Sequence, residues 1–215
     1  ITGASGGIGY ELAKVFAKNG YNLVLVARST DKLQALKEEL ESLHSCAVLV
    51  ITKDLSLDNS VEGLFNELQE HKIHINILVN NAGFGDYGPF SESKWTKEKQ
   101  MIELNVLALT HLTKLFIGPM LQKGKGKVLN VASTAAFQPG PLMAVYFATK
   151  AYVLHFSEAI ASELQGSGVS VTVLCPGATQ SGFSEAASMG KSKLFKRKIP
   201  TAQQVAEYAY KALMK

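Results

Sequence analysis

The chain has 215 residues, 47% hydrophobic and 19% charged, with a net charge of +4. That length can bury one sizeable core, and the balance is ordinary for an α/β domain. The Lys and Arg are scattered, which argues against nucleic acid as a partner, and the densest basic run, Lys191 to Lys198, reads as a solvated loop.

Ile1-Thr2-Gly3-Ala4-Ser5-Gly6-Gly7-Ile8-Gly9 is a glycine-rich turn that runs into an amphipathic helix, Tyr10 to Asn19, stopped by Gly20. A glycine loop opening a helix presents backbone N–H groups and the positive dipole end, and so suits a phosphate. Tyr21 to Ala27 is a short apolar run rich in strand formers and predicts a buried parallel strand, with Arg28 and Ser29 at its end. Asp31 to Leu43 is a helix with Thr30 as its expected N-cap. Ala47 to Thr52 is the next strand, closed by Lys53-Asp54-Leu55. A helix from about Asn59 to Glu70 and a strand from Ile75 to Val79 follow, then Asn80-Asn81-Ala82-Gly83.

Phe84 to Ser93 reads as a loop. Trp95 to Gln122 reads as one long helix, apolar almost all round between Leu104 and Phe116, as in a core or an oligomer interface. Lys127 to Ala132 is a strand with Ser133 just beyond it. A loop to Met143 leads into a helix from Val145 to Leu164. Ser170 to Leu174 is a strand ending in Cys175-Pro176-Gly177. Ser181 to Lys198 reads as a flexible basic segment, and Thr201 caps a last helix to Met214.

The regular alternation predicts one α/β domain, a doubly wound parallel sheet with helices on both faces. Ligands in such sheets bind beyond the carboxyl ends of the strands. The polar features at Gly3 to Gly9, Arg28, Asp54, Asn80, Ser133 and Pro176-Gly177 all fall there. No uninterrupted apolar run approaches about 18 residues, so no membrane span is expected. Cys46 and Cys175 lie in apolar runs and read as buried free thiols of a reducing, cytoplasmic setting. The five histidines form no ligand cluster, and no metal is expected.

Tyr146 and Lys150 stand four apart, on one face of a helix. An ammonium about 5 Å from a phenol favours the phenolate by roughly 3 kcal/mol. The pair therefore makes a candidate general acid or base with its tuning cation.

The order Thr-Gly-x-x-x-Gly-x-Gly, Asn-Asn-Ala-Gly, Ser133 thirteen residues before Tyr-x-x-x-Lys, and then Pro-Gly resembles the short-chain dehydrogenase/reductase family in its single-domain, Rossmann-like form. The resemblance implies that Gly3, Ser5, Gly7, Ile8 and Gly9 shape the turn under a cofactor diphosphate. It places Asp54 and Leu55 at the adenine, and Asn80, Ala82 and Gly83 along the adenosine ribose and the central sheet. Pro176 and Gly177 would approach the nicotinamide, with Thr179 or Ser181 meeting its carboxamide. It implies Ser133 as the hydrogen-bond partner of the substrate oxygen, Tyr146 as proton donor, Lys150 on the nicotinamide ribose, and Asn105 as the residue that orders a relay water.

In such folds an acidic residue at the end of the second strand accepts from the ribose 2′-OH of NAD. Ala27 cannot do so. Arg28 and Ser29 suit a 2′-phosphate, so NADP(H) is the expected cofactor. Phe84, Leu142, Met143, Phe183 and Phe195 are expected to wall an apolar pocket, with 181–198 as a lid over a small-molecule ketone or aldehyde. The family also implies a homodimer or homotetramer. Its usual first strand is reduced to Ile1 here and its last strand is missing, so the native polypeptide is expected to extend past both ends. A non-catalytic NADP-binding sensor on the same fold is the rival reading.

Overall fold

The computed structural model describes residues 1–183 and 199–215. Phe195, the basic run and most of the expected lid lie outside the described residues.

Residues 1–54 with 178–215 form one compact unit and residues 55–177 another. In the first, α1 (Gly7–Lys18), β1 (Leu23–Ala27), α2 (Thr30–Leu43) and β2 (Val48–Thr52) alternate as expected, and α7 (Ala202–Met214) closes the unit. β1 and β2 pair in parallel from Leu23 opposite Val48 to Ala27 opposite Thr52. Ile1 to Gly3 run beside β1: Val26 N donates to Ile1 O at 3.0 Å and Gly3 N to Val26 O at 2.8 Å. α1 turns Leu12, Ala13, Phe16 and Ala17 inward. Phe16 meets Tyr21 and Tyr210 edge-on, with ring centroids 5.4 and 5.2 Å apart, which fastens α7 to α1. Thr201 and Gln204 form a reciprocal capping box at the start of α7. The cap of α2 differs from expectation. Ser29 is its N-cap residue, and Thr30 is already helical, its hydroxyl spent on Thr52 at 2.9 Å.

The second unit holds α3 (Ser60–Glu70), β3 (Ile77–Asn80), α4 (Trp95–Ile102), α5 (Leu109–Gln122), β4 (Gly126–Val131), α6 (Ala144–Glu163) and β5 (Val169–Leu174). Its strands pair in parallel in the order β3-β4-β5. The described strands thus hydrogen-bond in two parallel sets rather than one. The expected first strand is represented by Ile1 to Gly3 alone, which make a single bridge, Thr2 to Val26.

The helix expected over 95–122 is broken by a π-helical turn, Glu103–Ala108, between α4 and α5. By length and composition 95–122 is long and apolar enough to cross a membrane, because its polar residues are dispersed. It packs against β3, β4, α3 and α6.

Polar side chains stitch this core. Asn80 Nδ2 donates to Thr113 Oγ1 at 3.0 Å and to Asn130 Oδ1 at 2.9 Å, and Asn130 Nδ2 donates to Ser157 Oγ at 2.9 Å. All four residues are buried. A buried polar chain of this kind fixes one register of β3, β4, α5 and α6, since slippage would strand its donors.

Candidate active site

Ser133 follows β4 and caps a short 3-10 turn, Thr134–Phe137. Its Oγ accepts from Ala135 N at 3.1 Å and donates to Pro176 O at a long 3.4 Å. Thr134 N donates to the same carbonyl at 2.9 Å, so Pro176 at the end of β5 is fixed beside Ser133. The weak Ser133 donor bond is one a better acceptor can displace.

Tyr146 and Lys150 lie on the first turns of α6, both buried. Lys150 Nζ donates to Val131 O at 2.8 Å and sits 5.8 Å from the centre of the Tyr146 ring. Among the described residues Val131 is its one hydrogen-bond partner, which leaves two donors for a ligand. Burial pulls Lys150 down to about 8 from its ordinary 10.5, with the Cys175 thiol as a small opposing influence.

Tyr146 departs from the expectation. Burial raises its pKa, and the opposing influence is a hydrogen bond with Ser133 rather than Lys150. Desolvating a phenolate outweighs the neighbouring charge here. Cys175, free and half-buried like Cys46, is also raised by burial.

Asn105 sits in the π turn, buried, with its side chain fully engaged. Oδ1 accepts from Phe84 N at 3.1 Å, and Nδ2 donates to Phe84 O at 2.9 Å and to Thr149 Oγ1 at 3.1 Å. Asn105 therefore clamps the Phe84 backbone, so any water it orders falls to its main chain, where a π turn disturbs the regular ladder. Phe84 serves this arrangement through its backbone. Gly83 lets it close: a Cβ there would stand 2.9 Å from Asn105 Oδ1 and 3.5 Å from Lys150 Nζ.

A small cleft of about 20 Å³ lies against Tyr146 and is lined by Leu142 and Met143 from the loop before α6, with Phe90, Met101, Asp86, Ser93 and Glu98. Leu142 holds φ +67°, a left-handed conformation costly for a branched side chain, and its carbonyl accepts from Gly88 N at 2.9 Å. The expected Leu142 and Met143 are thus on the cleft. Phe183 belongs to the other unit.

In that other unit, the glycine turn has the features an anion needs. Gly6, the N-cap of α1, makes no side-chain cap, and no acidic residue occupies the first turn. A Cβ on Gly6 would meet nothing within 4 Å, so the space before the helix is open. Gly7 adopts φ +55°, and a Cβ there would come 2.9 Å from Ser181 O. The 178–182 segment therefore lies on the turn, with Ser181 Oγ donating to Thr179 O at 3.3 Å. Ser5, Ile8 and Gly9 belong to the same turn and the start of α1. Arg28 at the end of β1 is 72% exposed, its Nη1 a loose 3.9 Å from Asp54 Oδ2, and the Ser29 hydroxyl is not used in capping. These residues fit a dinucleotide phosphate. Leu55 is buried, and Ala82 lies just after β3.

The model of the short chain dehydrogenase family matches residues 1–191. The chain belongs to that family. Mouse 17-beta-hydroxysteroid dehydrogenase type 3 is 34% identical over 180 residues, 82% of this chain and 58% of that protein. The chain thus spans little more than half of that relative. A short-chain dehydrogenase from Sphingobium yanoikuyae, solved in complex with NADPH, is 33% identical with a TM-score of 0.91, over 99% of this chain and 82% of its own. A short chain dehydrogenase/reductase from Burkholderia phymatum, solved with NAD, is 25% identical with a TM-score of 0.87, over 100% of this chain and 84% of its own. The chain therefore has the Rossmann-like α/β fold of short-chain dehydrogenases, and these two solved relatives hold NADPH and NAD.

Proposed function

We propose that this short-chain dehydrogenase is NADP(H)-dependent and interconverts a carbonyl and an alcohol, working as a reductase of a hydrophobic ketone or aldehyde. The observation that carries this is Tyr146, buried against a cleft of mixed polar and apolar lining, hydrogen-bonded to Ser133 and lying beside Lys150.

A bound nicotinamide supplies the hydride. Ser133 releases its long bond to Pro176 and holds the carbonyl oxygen, stabilising the charge that develops there. Tyr146 Oη gives that oxygen its proton. The raised pKa of Tyr146 keeps the phenol protonated before reaction, as a proton donor must be. Lys150 would hold the nicotinamide ribose with its two remaining donors, and a water on the Asn105 backbone would refill the proton. Asn80, Ala82 and Gly83 would line the adenosine side, Asp54 and Leu55 the adenine, and Pro176 and Gly177 the nicotinamide, with Thr179 or Ser181 at its carboxamide.

Ala27 offers no carboxylate to a ribose 2′-OH, while Arg28 is held only loosely and is free to turn to a 2′-phosphate. The NADPH complex of the Sphingobium relative supports this reading. The steroid dehydrogenase relative and the cleft residues Phe90, Met101, Leu142 and Met143 support a hydrophobic substrate. Leu107, 58% exposed on the long helix, supports a homodimer or homotetramer paired through it. The free thiols favour a reducing compartment such as the cytoplasm.

The test is loss of NADPH absorbance with a panel of aryl ketones and aldehydes, beside titrations of both cofactors. Arg28→Ala should raise the NADPH dissociation constant about tenfold or more while leaving NADH within about twofold. Equal losses for both cofactors would remove the argument for NADP(H).

A further inference from the structure

Glu98 is a charged residue in an unusual place. It lies on α4, is 7% exposed, and lines the cleft against Tyr146. Its Oε2 is buried and has no hydrogen-bond partner among the described residues. No salt bridge to Glu98 forms among the described residues: Lys97 pairs with Asp86 at 2.6 Å and Lys99 with Glu103 at 3.3 Å. Asp86 also lines the cleft, but Lys97 neutralises it. Phe90, Met101, Leu142 and Met143 supply the apolar part of the wall around Glu98, and Ser93 and Tyr146 neutral polar groups.

A buried carboxylate with an unmade hydrogen bond is costly to the free protein, and such a group needs an explanation. A ligand that brings a donor to the Glu98 carboxylate offsets part of that cost. A ligand that brings an apolar group leaves it unpaired, and one that brings an anion adds repulsion. Sites built this way discriminate far more strongly than apolar pockets do.

Building on the carbonyl-reductase reading, we propose that Glu98 is the specificity-determining residue of the cleft. Its carboxylate accepts a hydrogen bond from a hydroxyl or amino group that the substrate carries away from its reacting carbonyl. The substrate class is therefore a hydroxy- or amino-substituted hydrophobic ketone or aldehyde, and anionic substrates such as free keto acids are rejected at this end.

The test uses four acetophenones that carry methyl, hydroxymethyl, aminomethyl or carboxylate at the para position. Binding is measured by calorimetry with NADP⁺ present, and turnover of the same four is measured with NADPH. The wild type should bind the hydroxymethyl and aminomethyl compounds about tenfold or more tighter than the methyl one, and the carboxylate weakest. Glu98→Leu should erase that order and favour the methyl compound. Glu98→Gln, close in shape, should keep the hydroxymethyl preference and lose most of the aminomethyl one. Circular dichroism melts establish that each variant is folded.

A preference surviving in Glu98→Leu, an equal loss for all four probes, or no preference in the wild type would each overturn the proposal. An equal loss is what a purely structural carboxylate gives. Discriminating binding without any NADPH consumption supports the role of Glu98 and sinks the reductase reading. NADPH consumption without discrimination does the reverse.

Discussion

Lys150→Met tests the electrostatics of the site without any substrate. The wild-type ammonium ionises at 10.5 in an unfolded chain and at about 8 when buried. Its folded pKa is depressed, so the folded state resists protonation. The penalty is present in full below about pH 8 and fades as pH rises toward 10.5. The interval corresponds to about 3 kcal/mol of destabilisation at pH 7. Methionine fills similar volume without charge but leaves the Val131 carbonyl without its 2.8 Å donor, which returns about 1 kcal/mol. The cofactor-free variant should therefore be more stable than wild type by about 1–2 kcal/mol at pH 7, raising Tm by a few degrees. Scanning calorimetry at pH 7 and at pH 9.5 measures this, and the gain should shrink at the higher pH. NADPH should then stabilise the wild type far more than the variant. A variant less stable than wild type at pH 7, or a gain that ignores pH, would refute the reasoning.

Other perturbations separate chemistry from architecture. Gly83→Ala drives a methyl against Asn105 Oδ1 and should lower kcat at least about tenfold with little change in Tm, since the residue is exposed and the displacement is local; an unchanged kcat would contradict the close approach. Asn130→Leu leaves Asn80 Nδ2 and Ser157 Oγ each short of a partner in the core, and should cost about 2–4 kcal/mol in urea unfolding. A loss under about 0.5 kcal/mol would show the network to be dispensable. Thr201→Ala removes the hydroxyl that accepts from Gln204 N and should lower stability by about 1 kcal/mol, read in the same assay.

Element order was legible because each strand is a short apolar run and each helix carries its apolar stripe at helical spacing. The glycine turn was legible as a turn because residues without Cβ stand where the backbone needs them, as at Gly7, which holds φ +55° against Ser181. The π turn was not, because an apolar stripe wide enough for a buried helix hides a one-residue change in period. The Asn105 clamp on Phe84 joins residues 21 apart, and nothing in either stretch points to the other. The balance at Tyr146 was misjudged because spacing reports a nearby charge but not burial. Glu98 sits among Lys94, Lys97 and Lys99, where composition reads as a solvated helix start, and only the folded chain turns it inward.

The central claim is that Tyr146 delivers the proton in an NADPH-driven carbonyl reduction. The direct measurement is single-turnover NADPH oxidation by wild type and Tyr146→Phe with the best ketone of the panel, beside NADPH titration of both. The account predicts a rate loss of about a hundredfold or more, with the NADPH dissociation constant changed by less than about threefold, well short of the about 1.4 kcal/mol that a tenfold loss would represent. A variant that turns over at a rate close to wild type would contradict it.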